Sequence, residues 1–221
     1  MDTSQIPRRS FILRSAALIG SLTGLGMHAR PREVHDQEKG IDTVETWLKG
    51  LDAPHKQFFD AGAIGGGAPL GRVCNFLDVY AEAYGLTDKD INVVFGASGA
   101  SLPFIFNDAM WGKYDLGRRY GAENPQTREP LMRNLFRKDL PGKTCGDHSI
   151  EALQRRGVRF IGCNRSLRNM AIEIATNLNG NADLLRDDLL ANIVPGVVVV
   201  PAMVVAANRA QEAGMTYVYV E

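Results

Sequence analysis

The chain has 221 residues, 45% of them hydrophobic, and its 25 basic and 25 acidic residues give a formal net charge of zero. This is the composition of a globular protein, and the length suits one domain with appendages. No block of lysine or arginine occurs in the body of the chain, so the composition excludes the basic surface typical of nucleic-acid-binding proteins. We predict no nucleic-acid partner.

The first 29 residues match the pattern of a twin-arginine export signal. The pentapeptide RRSFI at 8–12 fits the motif at all five places, and an uncharged, moderately apolar run follows it. That run is shorter than the roughly 20 apolar residues that span a bilayer. We therefore predict a signal peptide at 1–29, a periplasmic location, and contact with a membrane only during export. A disordered basic tail is the alternative.

Strand-like and helix-like patterns alternate from residue 55 onward. Residues 30–54 before them are charged and lack a strong hydrophobic period, which predicts a linker with one short helix at 44–48. The predicted strands cover residues 56–62, 91–98, 158–163, 196–200 and 216–220. The predicted helices cover residues 69–85, 103–114, 149–157, 166–178, 182–193 and 201–214.

This alternation predicts an α/β domain over residues 55–221, built on an open, mainly parallel five-stranded sheet with helices on both faces. In such sheets ligands bind outside the carboxyl ends of the strands, where the loops lead into the helices. We therefore expect a functional site at that edge.

An insert at residues 115–147 interrupts the alternation. It contains four arginines between residues 118 and 133, three prolines, and little periodicity. A long excursion inside a domain is usually functional or an oligomer contact. A lid over the carboxyl edge, a contact with a neighbouring subunit and a solvated loop all remain open.

No cofactor or metal motif is complete. In the glycine-rich loop, Gly65 and Gly67 fit the dinucleotide fingerprint, but Leu70 stands where the third glycine is required. The sequence PGKT at 141–144 resembles the end of a P-loop, yet Arg137 replaces the first glycine. Cys145 and His148 could supply two metal ligands, whereas a zinc site needs three or four. We predict no cofactor and no metal.

The three cysteines are Cys74, Cys145 and Cys163. Cys74 lies one helical turn from both Leu70 and Leu77, which predicts a place in the core. Cys163 ends a predicted strand and Cys145 precedes a predicted helix, so both should lie at the carboxyl edge. An odd number of cysteines cannot pair fully within one chain.

Cys163 is the main candidate for a reactive thiol. The N-terminus of a helix and neighbouring cations favour the thiolate form of cysteine, and Arg165 and Arg168 follow Cys163 at the start of a predicted helix. We group Asn164 with these two arginines as binding residues. A cysteine that merely ends a strand is the alternative.

Ser98 and Ser101 follow a predicted strand in the sequence GASGAS. No histidine is placed to activate either hydroxyl, so a serine-hydrolase site is not indicated. The amides of this loop could instead form a small-anion nest at the carboxyl edge.

Two segments, SIEALQRRGVRFIGCNRSL at 149–167 and IVPGVVVVPAMVVAANRAQEAGMTYVYV at 193–220, resemble the DsrE/DsrF-like family of sulfur-relay proteins. The resemblance covers roughly residues 55–221. It implies a flavodoxin-like α/β fold, a homo-oligomer, and a persulfide on the cysteine that ends the strand, which Cys163 matches. The insert and the export signal depart from the small cytoplasmic carriers of the family.

Two hypotheses of function follow. In the first, Cys163 and Cys145 are the catalytic residues of a sulfur carrier or sulfurtransferase: Cys163 accepts sulfane sulfur from a donor protein, Cys145 resolves the persulfide, and an acceptor protein takes the sulfur. In the second, the domain is a non-catalytic periplasmic module that binds a small anion or serves assembly.

Overall fold

Five apolar segments form one parallel sheet in the computed structural model of the chain, which describes residues 40–137 and 147–221. The strands are β1 (His55–Ala61), β2 (Ile91–Ala97), β3 (Arg159–Cys163), β4 (Val197–Val200) and β5 (Thr216–Val220). Their order in the sheet is β4-β3-β2-β1-β5, and every neighbouring pair is parallel. The prediction of an open five-stranded α/β sheet of flavodoxin-like type is confirmed.

Seven α-helices connect the strands in the described ranges. They are α1 (Ala68–Tyr84), α2 (Asp108–Lys113), α3 (Leu116–Arg119), α4 (Ile150–Arg155), α5 (Asn164–Leu178), α6 (Ala182–Ala191) and α7 (Met203–Glu212). None of the helices in these ranges has the length and apolar character needed to cross a membrane.

Helix α1 shows how local sequence sets the bounds of an element. Pro69 occupies its first turn, where a missing amide N–H costs little. Gly85 ends it in the left-handed region at φ 67°, which a glycine adopts without strain. Between them Leu70, Val73 and Leu77 form a buried stripe, so the helix packs on the sheet along one face.

The two faces of the sheet are packed against different elements. On the first, which we call the broad face, strand residues such as Phe95 and Phe160 are covered by α1, α2, α4, α5, α6 and part of the insert. On the second, the narrow face, α7 and the segment 41–53 pack over residues such as Phe58 and Ile161. Since side chains alternate along a strand, β1 to β4 contribute to both cores, whereas Val218 and Val220 of β5 join the core of the broad face.

The segment 41–53, which the sequence analysis assigned to a linker, lies against the narrow face. Ile41 forms a parallel bridge with Val199 of β4, and Trp47 is buried in the core. Arg159 of β3 donates from Nη1 to the carbonyl oxygens of Trp47 (2.8 Å) and Lys49 (2.6 Å). The folded body therefore begins before residue 55.

The described part of the insert, 115–137, packs on the broad face. Leu116, Leu131 and Phe136 are buried there, and Arg119 forms an ion pair with Glu173 of α5 at 3.1 Å. Residues 115–137 are thus anchored to the face opposite to that of the Cys163 side chain.

One helix predicted from the sequence is two helices in the structure. The segment predicted at 103–114 begins inside a 3₁₀ helix, Gly99–Ile105, and continues as α2 from Asp108. Asn107 separates the two as the N-cap of α2, with its side chain accepting a hydrogen bond from the Met110 amide. An N-cap asparagine starts a new helix because its side chain replaces the missing intrahelical partner.

Candidate functional site

The carboxyl ends of β3 and β4 form the topological switch point of the sheet. Helix α5, which follows β3, leaves toward the broad face, whereas α7, which follows β4, leaves toward the narrow face. Where two adjacent connections leave in opposite directions, a crevice opens between the strand ends, and ligands of open α/β sheets bind there. Cys163 is the last residue of β3 and lies at this point.

The Sγ atom of Cys163 accepts two backbone hydrogen bonds from two different helices. The amide of Ser166, in the first turn of α5, lies 3.4 Å from Sγ, and the amide of Met203, the first residue of α7, lies at the same distance. Both amides belong to the first turn of a helix, whose N–H groups have no intrahelical partner and carry partial positive charge. An acceptor position between two such amides suits an anionic sulfur atom.

Packing holds the two amides in place. The side chain of Met203 lies over Gly96 of β2, so that a Cβ atom at residue 96 would come within 2.5 Å of its Sδ. On the other side, the Ser166 hydroxyl accepts a hydrogen bond from the Gly99 amide at 3.0 Å, which joins the start of α5 to the loop after β2. The site is therefore built by three strand ends together.

Cys163 is buried, with 4% of its surface exposed, while Arg165 and Arg168 are exposed. Neither arginine donates to Sγ, which receives the Ser166 and Met203 amides instead. The two arginines lie in the first turns of α5 and contribute positive charge at the surface. The structure thus places them around the site and outside its hydrogen-bonding shell.

Asn164 points away from the thiol. It is buried, and its Oδ1 accepts a hydrogen bond from Nη2 of Arg186 in α6 at 3.3 Å. This contact ties the start of α5 to α6. In the structure Asn164 supports the helix that carries the site, rather than lining the crevice.

The loop amides proposed as an anion nest are bonded within the protein. The Ser98 amide donates to the Ser101 hydroxyl at 2.9 Å, and the Ser101 hydroxyl donates to the carbonyl of Ala61 at 2.6 Å. The Gly99 amide donates to the hydroxyl of Ser166. An anion at this loop would have to displace one of these bonds, so Ser98 and Ser101 act here as a brace between the ends of β1 and β2.

Cys74 is fully buried in α1, as predicted, and its Sγ lies 3.4 Å from a carboxylate oxygen of Asp78. Cys145 and the predicted signal at 1–29 lie outside the described residues. Within the described ranges, no three His, Cys, Asp or Glu side chains come together as a metal site would require.

A cavity of about 950 Å³ lies elsewhere, on the broad face between α1, β5 and the insert. Its walls include Phe76, Tyr80, Leu131 and His148. Cys163 is not among its lining residues, since its side chain belongs to the narrow face.

Sequence reasoning missed three residues of the site: Ser166, Met203 and Gly96. The Cys-x-x-Ser spacing was the available signal for Ser166, because an N-cap side chain accepts from the amide three residues later. No local signal existed for Met203 or Gly96, which reach Cys163 only through the order of the strands.

No protein-family model matches the chain, and no curated protein matches it. Among solved structures, the chain is similar to a protein of unknown function from Methanobacterium thermoautotrophicum. The match has 15% sequence identity and a TM-score of 0.41, and it covers 75% of this chain and 99% of the other.

Proposed function

We propose that the protein is an exported DsrE-like sulfur carrier or sulfurtransferase that holds sulfane sulfur as a persulfide on Cys163. The observation that carries the proposal is the pair of first-turn amides on Sγ, from Ser166 and Met203. First-turn amides favour negative charge on the atom that accepts from them, and these two lie at the crevice where this type of sheet binds its ligands.

The chemistry is thiol exchange at a sulfane sulfur. The Cys163 thiol gives its proton to solvent, and the thiolate attacks a sulfane sulfur of a polysulfide. A new S–S bond forms on Cys163, the S–S bond of the donor breaks, and the shortened donor leaves with that electron pair. No external oxidant is required, because the donor sulfur is already at the oxidation level of the product.

The burial of Cys163 supports the role of a sulfur carrier, which must retain its persulfide sulfur until transfer. A thiol that is 4% exposed is shielded from bulk water and from large reagents, so that only a small donor, or a partner that opens the crevice, reaches it. The exposed Arg165 and Arg168 on α5 raise the positive potential outside the site, which attracts anionic sulfur compounds.

Cys145 is proposed as the thiol that resolves the persulfide, and a donor or acceptor protein as the partner. The predicted signal at 1–29 would take this chemistry to the periplasm, which is oxidising. Replacing Arg8 and Arg9 with lysine should keep the protein in the cytoplasm, as cell fractionation would show. Unchanged export would contradict that part of the proposal.

Sulfur loading tests the central claim. The purified protein is incubated with inorganic polysulfide, and intact-mass and peptide mass spectrometry then locate any added sulfur atom. We expect one added sulfur on Cys163 in the wild type and in the Cys74→Ser variant, and none at this position in Cys163→Ser. Equal loading of Cys74 and Cys163, or no loading in a folded protein, would contradict the proposal.

The same variants distinguish sulfur transfer from the alternative function, a non-catalytic anion-binding module. A non-catalytic module would bind small anions such as sulfate or thiosulfate equally well in the wild type and in Cys163→Ser, and neither would retain sulfur after gel filtration. Isothermal titration of both proteins with thiosulfate measures this.

A further inference from the structure

Strand β5 leaves one edge of the sheet open. It pairs with β1 on one side, and no strand in the described part of the chain pairs with the other. The carbonyl of Val220 accepts the Gly62 amide on the β1 side. Backbone groups alternate in direction along a strand. The N–H and C=O groups of Thr216, Val218 and Val220 therefore point toward β1, and those of Tyr217 and Tyr219 point toward the open edge. Their N–H and C=O groups form the open ladder.

The sequence of β5, TYVYV, has none of the features that usually protect an open edge. It contains no lysine, no proline and no charge, and within the described residues no bulge interrupts its register with β1. Tyr217 and Tyr219 are 43% and 53% exposed. An uncharged edge of this kind favours pairing with another strand.

We propose that the occupant is a second copy of β5, paired antiparallel about a two-fold axis at Val218. This register places Tyr217 opposite Tyr219 of the second copy, and the reverse. Both residues offer outward N–H and C=O groups, so the two pairs would form four hydrogen bonds, and Val218 would face its own copy in a non-hydrogen-bonded pair. The two sheets would become one sheet of ten strands.

The register centred on Tyr217 uses fewer groups. With the axis at Tyr217, Tyr219 would lie opposite Met215, whose amide already donates to the carbonyl of Ala210 at 3.0 Å. One hydrogen bond at each end of the ladder would then be missing. With the axis at Val218, every outward group of Tyr217 and Tyr219 finds its partner on the same two residues of the second copy.

Side chains support the same register. In this register Tyr217 and Tyr219 are cross-strand neighbours on the narrow face, and aromatic cross-strand pairs stabilise antiparallel strands. In the single chain the Tyr217 ring stacks on Phe58 of β1 and its hydroxyl donates to Asp60. Glu221 would lie opposite Met215 of the second copy. Lys56 lies beside Met215, because the next residues, Gln57 and Thr216, are register partners. Opposite charges therefore meet at both ends of the interface.

Disulfide trapping tests this geometry directly. In a non-hydrogen-bonded pair the Cα atoms lie about 4.5 Å apart, within the range that a disulfide spans. Val218→Cys should therefore form a covalent dimer under mild oxidation, with the 218–218 linkage identified by peptide mapping. Thr216→Cys is the matched control: it lies on the same strand but faces residue 220 of the second copy, so it should not link to itself.

Solution mass provides the second test, with the full chain measured by light scattering. The wild type should be dimeric. Tyr219→Pro removes an outward N–H without touching the bonds to β1, so it should give a folded monomer, whereas Tyr219→Val should remain a dimer. A monomeric wild type, a dimeric Tyr219→Pro variant, or equal trapping of the two cysteine variants would overturn the proposal.

Discussion

The broad and narrow faces of the sheet differ in how they are held. The broad face is covered by five helices and the described part of the insert, all joined in one large hydrophobic cluster. The narrow face is covered by α7 and the segment 41–53, and its cluster is smaller. Cys163 belongs to the narrow face. The thiol proposed to be reactive thus lies in the part of the molecule with the smaller buried cluster, where local opening costs less free energy.

The largest effect should come from the core of the broad face. Phe160 is 1% exposed, and its ring centroid lies 5.1 Å from that of Phe95. Phe160→Ala should lower the free energy of unfolding by about 3–5 kcal/mol, because it removes buried surface and leaves a cavity. Urea unfolding followed by circular dichroism measures this. A loss below about 1 kcal/mol would mean that the broad face is not the stabilising core.

A clash on the narrow face should affect stability less and chemistry more. In Gly96→Ala the new Cβ would meet Sδ of Met203 at 2.5 Å, and overpacking of this kind costs about 1–3 kcal/mol. The clash is with the flexible end of the Met203 side chain, and any shift that it passes on to the Met203 backbone should weaken the amide bond to Sγ of Cys163 and slow sulfur loading.

The matched control for Gly96→Ala is Gly162→Ala. Its Cβ would meet Cδ1 of Ile105 at 2.4 Å on the broad face. We expect a comparable loss of stability with a smaller change in the rate of loading. Equal slowing in the two variants would show that loading follows general stability rather than the position of Met203.

The segment 41–53 should be released by a change in β3. Arg159→Ala removes the two hydrogen bonds to the carbonyls of Trp47 and Lys49, and we expect a loss of about 1–2 kcal/mol. Hydrogen exchange should accelerate in 41–53 and leave the broad face unchanged. Arg209→Ala, which removes the exposed pair with Glu45 at 2.6 Å, should have a smaller effect. Uniform acceleration over the whole chain would contradict this local role.

The smallest effect should be a pH-dependent one. Burial raises the pKa of Asp60, and the hydrogen bond from Tyr217 only partly offsets this. A carboxyl group whose pKa is raised on folding disfavours the folded state once it is ionised, so its cost appears as the pH rises through the folded pKa. Asp60→Asn should therefore stabilise the protein at neutral pH and not at a pH below the ordinary value of aspartate. Thermal melts at the two pH values measure the difference, and the same shift at both would contradict it.

Much of the fold could be predicted because its signals are local. The stripe of α1 and its terminal glycine, and the uninterrupted apolar run of β2, needed no knowledge of their neighbours. Segment 41–53 could not be predicted in this way. Trp47 is its main buried anchor, surrounded by charged residues, and its backbone is held by Arg159 and Val199, which lie more than a hundred positions away in the sequence.

The candidate site likewise combines residues that local sequence signals indicate with residues that only long-range contacts bring together. Cys163 was identified because a strand end and a helix start are both visible in the sequence. The amide of Met203 could not be assigned to it, because that contact depends on which face α7 takes after β4. Arg165 and Arg168 lie in the first turns of α5, which begins two residues before the predicted helix, and only the structure shows that they are exposed while the thiol is buried.

The pairing of β1 with β5 has a consequence for biosynthesis. Gln57 and Thr216 are register partners although nearly the whole domain separates them in the sequence. During translation β1 therefore keeps this edge open until β5 has been synthesised and has left the ribosome. Contacts of such long range form late and slowly, because the entropy of closing the chain must be overcome first. A chain that stalls before β5 would leave this edge of β1 open to pairing with strands of other chains. Addition of β5 therefore removes a site at which the newly made protein could aggregate.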